Sequence, residues 1–284
     1  MKKSLVIGPG FLGKTISEIL LEEGAVVYTL GRSHKKDLAP EVKQLIGDVS
    51  DSCSFNQLSS DFDLIFYCVA PDSREQSDYK KVYCQGLSNT VNFAQSKQPN
   101  PRIVYSSSTG VYGQSAGEEV NEETPLQLET PRSEILFQAE KILTNYSGKG
   151  VSARLSGIYG PGRGSLVQKA LRATESPDNQ GSFTNRVHVH DAARAMIYLA
   201  RLAEPEPTYI VTDSKPVTRI EVYNWIRSCS GLEKLTQPPT NGTPTGKRCS
   251  NQRLLKSGFL LNYEDYQSGY SRAELKNSYL QQSV

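Results

Sequence analysis

The residues best suited to chemistry stand at the head of the chain. Gly8-Pro9-Gly10-Phe11-Leu12-Gly13 fits G-x-G-x-x-G, between an apolar run and a helical pattern. In that setting the first glycine permits a tight turn and the second lets the backbone approach a diphosphate. The third lets helix and strand pack, with helix amide hydrogens facing the phosphate oxygens. Gly8, Gly10, Phe11, Leu12 and Gly13 are thus candidate diphosphate-binding residues, and a dinucleotide is the expected ligand. After the next apolar run comes Gly31-Arg32-Ser33-His34-Lys35-Lys36, with no acid to hold a free ribose hydroxyl. Arg32 offers a planar fork and Ser33 a hydroxyl to a 2′-phosphate, so NADP is expected rather than NAD. Asp48 and Val49 are expected beside the adenine, and Val69-Ala70-Pro71 where the backbone nears the cofactor.

The remaining reactive side chains are sparse. Five cysteines (Cys53, Cys68, Cys84, Cys229, Cys249) form no Cys-x-x-Cys pair, so reduced thiols are expected, and neither a disulfide framework nor a thiolate zinc site. His188-Val189-His190-Asp191 could offer two imidazoles and a carboxylate to a metal, but a hydrogen-bonded pair where strand meets helix explains the run as well, and no metal is expected. Lys plus Arg number 32 against 30 for Asp plus Glu, a formal charge of +2. That balance argues against nucleic acid as a partner. No uncharged apolar stretch reaches the roughly 18 residues of a membrane span, and Leu5-Val6-Ile7 is too short for a secretory signal. A cytoplasmic protein is expected.

These residues need a scaffold, and the hydrophobic pattern supplies one. Lys3 to Ile7 reads as a buried strand. Phe11 to Glu23 follows as a helix with Leu12, Ile16, Ile19 and Leu20 on one face and Gly24 as its cap, and Ala25 to Leu30 as a second strand. Further strands are expected at 44–46, 64–70, 102–106 and 152–155, with helical or irregular crossovers between them. Such alternation predicts an α/β fold, a doubly wound parallel sheet of Rossmann type, with a smaller C-terminal substrate lobe. The expected nucleotide domain is 1–155, continued by about 183–213. Residues 156–182 and 214–284 make the lobe. Within the lobe, Thr218 to Glu221 is a capping box opening a helix, 237–246 reads as a loop or linker, 250–256 as a short helix, and 264–280 as helical in places. Tyr263, Tyr266 and Tyr270 read either as a packed helical face or as a ligand wall.

Three more segments carry a family likeness: Ser106-Ser107-Ser108-Thr109-Gly110-Val111-Tyr112-Gly113, Ile158-Tyr159-Gly160-Pro161-Gly162-Arg163, and Arg186-Val187-His188-Val189-His190-Asp191. With the glycine turn, in this order and spacing, the chain from about Lys3 to Tyr270 resembles the extended branch of the short-chain dehydrogenase/reductase superfamily, the nucleotide-sugar epimerase and dehydratase group. The resemblance implies a Ser or Thr, a Tyr and a Lys as the catalytic set. It assigns Ser108 to the serine position, places Ser106 beside the cofactor and puts Ser107 toward the substrate. Alignment through Gln138-Ala139-Glu140 puts Arg132 at the tyrosine position and Leu136 at the lysine position. A guanidinium stays protonated and leucine has no titratable group, so the usual proton exchange has no carrier there. The chain thus resembles an atypical subgroup lacking Tyr-x-x-x-Lys.

Two replacements are conceivable. Arg132, opening a helix after Thr130-Pro131, could grip a carboxylate or phosphate, or form a salt bridge to Glu134 or Glu129. Alternatively Tyr112 or Tyr159 supplies a phenol while Ser108 bonds the reacting oxygen. Arg163, Asn185 and Arg186 lie in segments that face substrate in the family, which suggests a polar, anionic ligand. The expected function is an NAD(P)-binding oxidoreductase, epimerase or dehydratase with a non-standard catalytic set, acting on a small polar metabolite, sugar-derived or phosphorylated among the options. The alternative is a non-catalytic protein that senses NADPH. A homodimer is allowed by the family's habit of pairing.

Overall fold

The structure, a computed structural model, describes residues 2–58, 61–176, 181–236 and 244–270. β1 (Lys3–Ile7) buries Leu5, Val6 and Ile7 completely, as a central parallel strand must. α1 (Phe11–Glu22) turns Leu12, Ile16 and Leu20 inward, and Gly24 leaves it at φ +77°. β2 (Val26–Gly31) and β3 (Lys43–Ile46) follow, then β4 (Leu64–Tyr67), α2 (Gln76–Tyr79) and, after a π-helical stretch over Lys80–Gly86, α3 (Leu87–Gln95). Next come β5 (Arg102–Ser108), β6 (Ala116–Val120), α4 (Pro131–Thr144), β7 (Gly150–Leu155), β8 (Gly157–Tyr159) and α5 (Ser165–Arg172). The chain continues through β9 (Phe183–Thr184), β10 (Arg186–His188), α6 (Val189–Arg201), β11 (Thr208–Val211), β12 (Val217–Thr218) and α7 (Arg219–Cys229), then β13 (Gly246–Cys249), α8 (Gln252–Lys256) and α9 (Tyr266–Gly269). Among the described residues no helix is long and apolar enough to cross a membrane.

The central sheet has seven strands in the order β11-β7-β5-β4-β1-β2-β3. β1 pairs in parallel with β2 on one side (Ile7 opposite Leu30) and with β4 on the other (Ile7 opposite Tyr67). This is the doubly wound order, and the chain reverses direction of growth between β1 and β4. Ligands of open α/β sheets bind at such a switch point, beyond the carboxyl ends of the strands.

The strand expected over 64–70 stops at Tyr67. Cys68 N still bonds Ile7 O at 2.8 Å, but Gly8 bends away and bonds Leu30 O at 2.9 Å, so β4 loses its β1 neighbour beyond that point. β5, conversely, runs on to Ser108 and carries all three serines at its end.

The chain packs as two compact units. The first comprises 1–113, 126–154 and 192–209, and its core runs from Leu5, Ile7 and Leu30 through Ile65, Tyr67 and Ile103 to Ala139 and Leu143. The second comprises 114–125, 155–191 and 210–284. Its core gathers Val167, Ala170, Ile220, Val222, Ile226, Tyr159, Tyr266 and Tyr270. The capping box at Thr218 and Glu221 forms as expected. Of the stretch 264–280, Tyr266–Gly269 is helical, and 271–284 lies outside the described residues. The expected linker ends in β13, and its residues 237–243 also lie outside them.

Candidate active site

In the first unit the glycine turn has the shape a diphosphate requires. Gly8 adopts φ +87°, and a Cβ there would meet Val69 N at 2.8 Å. A Cβ on Gly13 would come within 2.2 Å of Gly8 O, so only glycine lets α1 pack this closely on the turn. Gly10, by contrast, has nothing within 4 Å of such a Cβ. No side chain caps α1 at Gly10, and its first turn holds no acid. An uncapped helix start with open space before it suits an anion. The turn therefore fits a dinucleotide diphosphate, with Gly8, Gly10, Phe11, Leu12 and Gly13 around it.

The neighbouring loops fill in the rest of this end of the sheet. Arg32, just after β2, makes a two-pronged ion pair with Asp72, just after β4. Its Nη1 donates to Oδ2, and its Nη2 donates to Oδ1 at 2.6 Å. Ser33 is exposed. Asp48 accepts from Ser50 N and Oγ at 2.9 and 2.7 Å and from Lys81 Nζ at 3.2 Å. Val49 is a core residue whose carbonyl takes a hydrogen bond from Asn89, so its side chain faces inward. Val69 and Pro71 are half-buried and Ala70 is exposed.

At the end of β5 the three serines diverge. Ser106 is half-buried. Ser108 Oγ accepts from Gly110 N at 3.0 Å, capping the short turn that follows. Ser107, expected toward the substrate, is instead buried and donates to Glu140 Oε1 at 2.6 Å. Glu140, 4% exposed on α4, also accepts from Arg154 Nε at 2.9 Å and Nη2 at 2.7 Å. Arg154, 5% exposed on β7, donates from Nη1 to the Tyr112 hydroxyl at 2.6 Å. Burial works against the Arg154 charge, but the Glu140 carboxylate outweighs it and holds the guanidinium above its ordinary pKa. Tyr112, expected as a replacement phenol, is 1% exposed, and its hydroxyl belongs to this network.

The positions aligned with the missing catalytic pair lie on α4, which Thr130 opens by a reciprocal cap with Ser133, with Pro131 in the first turn. Leu136 is buried. Arg132 is exposed, donates from Nε to Arg74 O at 3.1 Å and lies 5.6 Å from the centre of the Tyr79 ring, so its observed partners are a carbonyl and a phenol ring.

In the second unit Asn185 serves the backbone, accepting from Cys249 N at 2.8 Å and donating to Lys247 O at 2.9 Å. Arg186 is 6% exposed, and its Nη1 has no hydrogen-bond partner among the described residues. Burial lowers its pKa, and Asp213 is the acid whose charge it feels. Asp213 donates its backbone N–H to Arg186 O at 2.8 Å, and burial pushes its carboxyl up to about 7. Arg163 is exposed in the turn after β8.

Tyr159 is buried, with its ring 4.5 Å from Tyr270 and 5.3 Å from His188, and burial pushes its phenol up. His188 stacks 3.9 Å from Tyr263, and burial lowers it to about 4. Asp191 accepts from the backbone of Asn262 and Tyr263, anchoring the segment before α9. The three C-terminal tyrosines do not share a helix: Tyr263 precedes α9 and Tyr270 follows it.

Sequence reasoning missed Asp72, the Glu140–Arg154 pair and Asp213. A signal for the pair was present, since Arg154 is a charge inside the buried-strand pattern Val151 to Leu155.

A Rossmann-like α/β sheet of parallel strands is the class that these features define. The sequence model described as the NAD dependent epimerase/dehydratase family matches residues 4–211, and the chain belongs to that family. A solved structure described as an NAD-dependent epimerase/dehydratase from Methylobacillus flagellatus is 33% identical, covers 98% of this chain and 99% of its own, and superposes with TM-score 0.82. The UDP-glucose 4-epimerase of Thermus thermophilus, in complex with NAD, shares the fold at 23% identity and TM-score 0.80, covering 97% and 99%. Among curated proteins, Protein YeeZ of Escherichia coli (strain K12) is 26% identical over 93% of this chain and 97% of its own length. The 2-alkyl-3-oxoalkanoate reductase of Shewanella oneidensis is 25% identical over 80% of this chain and 66% of its own length.

Proposed function

We propose that this protein is an NADP-binding oxidoreductase of the epimerase/dehydratase kind, acting on a small polar metabolite that carries an anionic group. The observation that carries the reading is the glycine turn, whose packing excludes a side chain at Gly8 and Gly13 and leaves room at Gly10. A nicotinamide dinucleotide held there supplies or accepts a hydride. The Thermus thermophilus relative is in complex with NAD, and the Shewanella oneidensis relative is named a reductase, which supports a nicotinamide dinucleotide and the reaction type. Arg32 and Ser33, in place of an acid after β2, favour the 2′-phosphate of NADP.

This chain's own residues then divide the work. Ser108, at the end of β5, bonds the reacting oxygen. Arg132 offers its guanidinium at the family's tyrosine position, suited to a carboxylate or phosphate and unsuited to proton exchange. The Tyr112 hydroxyl holds Arg154, and Tyr159 packs among rings, so neither is poised as an acid. In the second unit Arg186 is a buried guanidinium with an unmet donor among the described residues.

Calorimetric titration of the intact protein with NADP and NAD tests the reading. NADP is expected to bind more tightly. Heat with neither nucleotide, from folded protein, overturns it, and tighter NAD binding overturns the choice of cofactor. Substitution of Arg132 by Met should then reduce the thermal shift given by nucleotide-sugar and sugar-phosphate ligands that stabilise the native chain.

A further inference from the structure

We propose that Asp72 limits the preference for NADP over NAD, by holding the Arg32 fork across the end of β1 so that a 2′-phosphate must compete with it. The inference rests on the cofactor reading above and adds a residue that this reading does not use. β2 and β4 flank β1 and all three run parallel, so the loops after them emerge at the same end of the sheet. Arg32 follows β2 by one residue, and Asp72 lies five residues beyond the end of β4. An ion pair between them spans the end of β1, where the chain enters the Gly8–Gly13 turn. Gly31 keeps the Arg32 side of this strap close to the turn, since a Cβ on Gly31 would lie 2.9 Å from Pro9 Cδ.

Both terminal nitrogens of the fork are engaged. Nη1 and Nη2 both donate to the Asp72 carboxylate, the two-pronged geometry that a phosphate would otherwise take. Asp48 and Asp78 add to the negative field at Arg32. A dianionic 2′-phosphate arriving at this guanidinium therefore meets an acid already in place and two more nearby. NAD presents a neutral hydroxyl, which has no such competitor. Both partners are largely exposed, 60% for Arg32 and 63% for Asp72, so the pair can open at small cost and removing the acid should not unfold the protein.

The test compares dissociation constants of NADP and NAD for the native protein, Asp72→Asn and Arg32→Ala. In Asp72→Asn, NADP should bind about three- to fivefold tighter while NAD changes by less than about twofold, since the lost competitor is an exposed ion pair. Arg32→Ala should weaken NADP selectively, and adding Asp72→Asn to it should gain less than Asp72→Asn gains in the native protein. Adenosine 2′,5′-bisphosphate and 5′-AMP, as fragment probes, should repeat the pattern. Unchanged NADP and NAD affinities in Asp72→Asn would overturn the proposal and leave the cofactor reading standing. Absence of binding by either nucleotide to native protein and variants would overturn both.

Discussion

Removal of the Glu140 carboxylate should be among the most damaging single changes in the first unit. Three hydrogen bonds end on that group, from Ser107 Oγ and from Nε and Nη2 of Arg154, at 2.6, 2.9 and 2.7 Å. In Glu140→Ala the Arg154 guanidinium stays behind the surface with no countercharge, and its remaining named partner is the Tyr112 hydroxyl. Breaking a buried ion pair from one side costs about 3–5 kcal/mol, because the surviving charge keeps its desolvation penalty. Native stability is about 5–15 kcal/mol, so the loss is a large share of the whole. Replacing both partners, as in Glu140→Leu with Arg154→Met, removes the stranded charge and should recover most of the loss, to within ~1–2 kcal/mol of native. Far-UV circular dichroism during urea unfolding is the suitable assay. The single tryptophan, Trp225, sits in the second unit, and its fluorescence serves as an internal control. A cost below ~1 kcal/mol for Glu140→Ala, or a double variant no more stable than the single, would refute the buried-charge reasoning.

Gly13→Ala forces a Cβ to within 2.2 Å of Gly8 O, and Gly8→Ala adds a left-handed backbone to a clash with Val69 N. Each should abolish measurable dinucleotide binding in titration calorimetry. Tyr112→Phe removes a hydrogen bond to a charged group and should cost about 1.5–3 kcal/mol in urea unfolding. Asp213 titrates at about 7 in the fold, against an ordinary carboxylate near 4 once unfolded. The folded state therefore holds an extra proton between those values, and stability falls as pH rises through that window, by up to ~4 kcal/mol. His188, lowered to about 4 in the fold, acts oppositely, losing stability as pH falls from about 6.5. The melting advantage of Asp213→Asn over native protein should therefore grow from about pH 5 to about pH 8, and a constant difference across that range would contradict it.

Much of the nucleotide unit was legible in the residues because its signals are local. A buried strand, a glycine turn and an amphipathic helix occupy consecutive positions, and each is specified by neighbours a few residues away. The apolar runs behind β1, β2, β5 and β7 identified the sheet for the same reason, and Thr218 with Glu221 marked the start of α7 from four consecutive residues. The end of β4 was not legible, since it depends on where β1 turns away at Gly8, in a distant part of the chain.

By itself, then, the order of residues determined the strand, glycine turn and helix around Gly8–Gly13 and raised the expectation of a diphosphate there. Tertiary structure alone decided which charges meet. Arg32 finds Asp72 across 40 positions, Glu140 finds Ser107 and Arg154 across 33 and 14, and Asp213 is tied to Arg186 by a backbone hydrogen bond. Electrostatic partnership depends on distance and burial in space, and neither is written in local spacing.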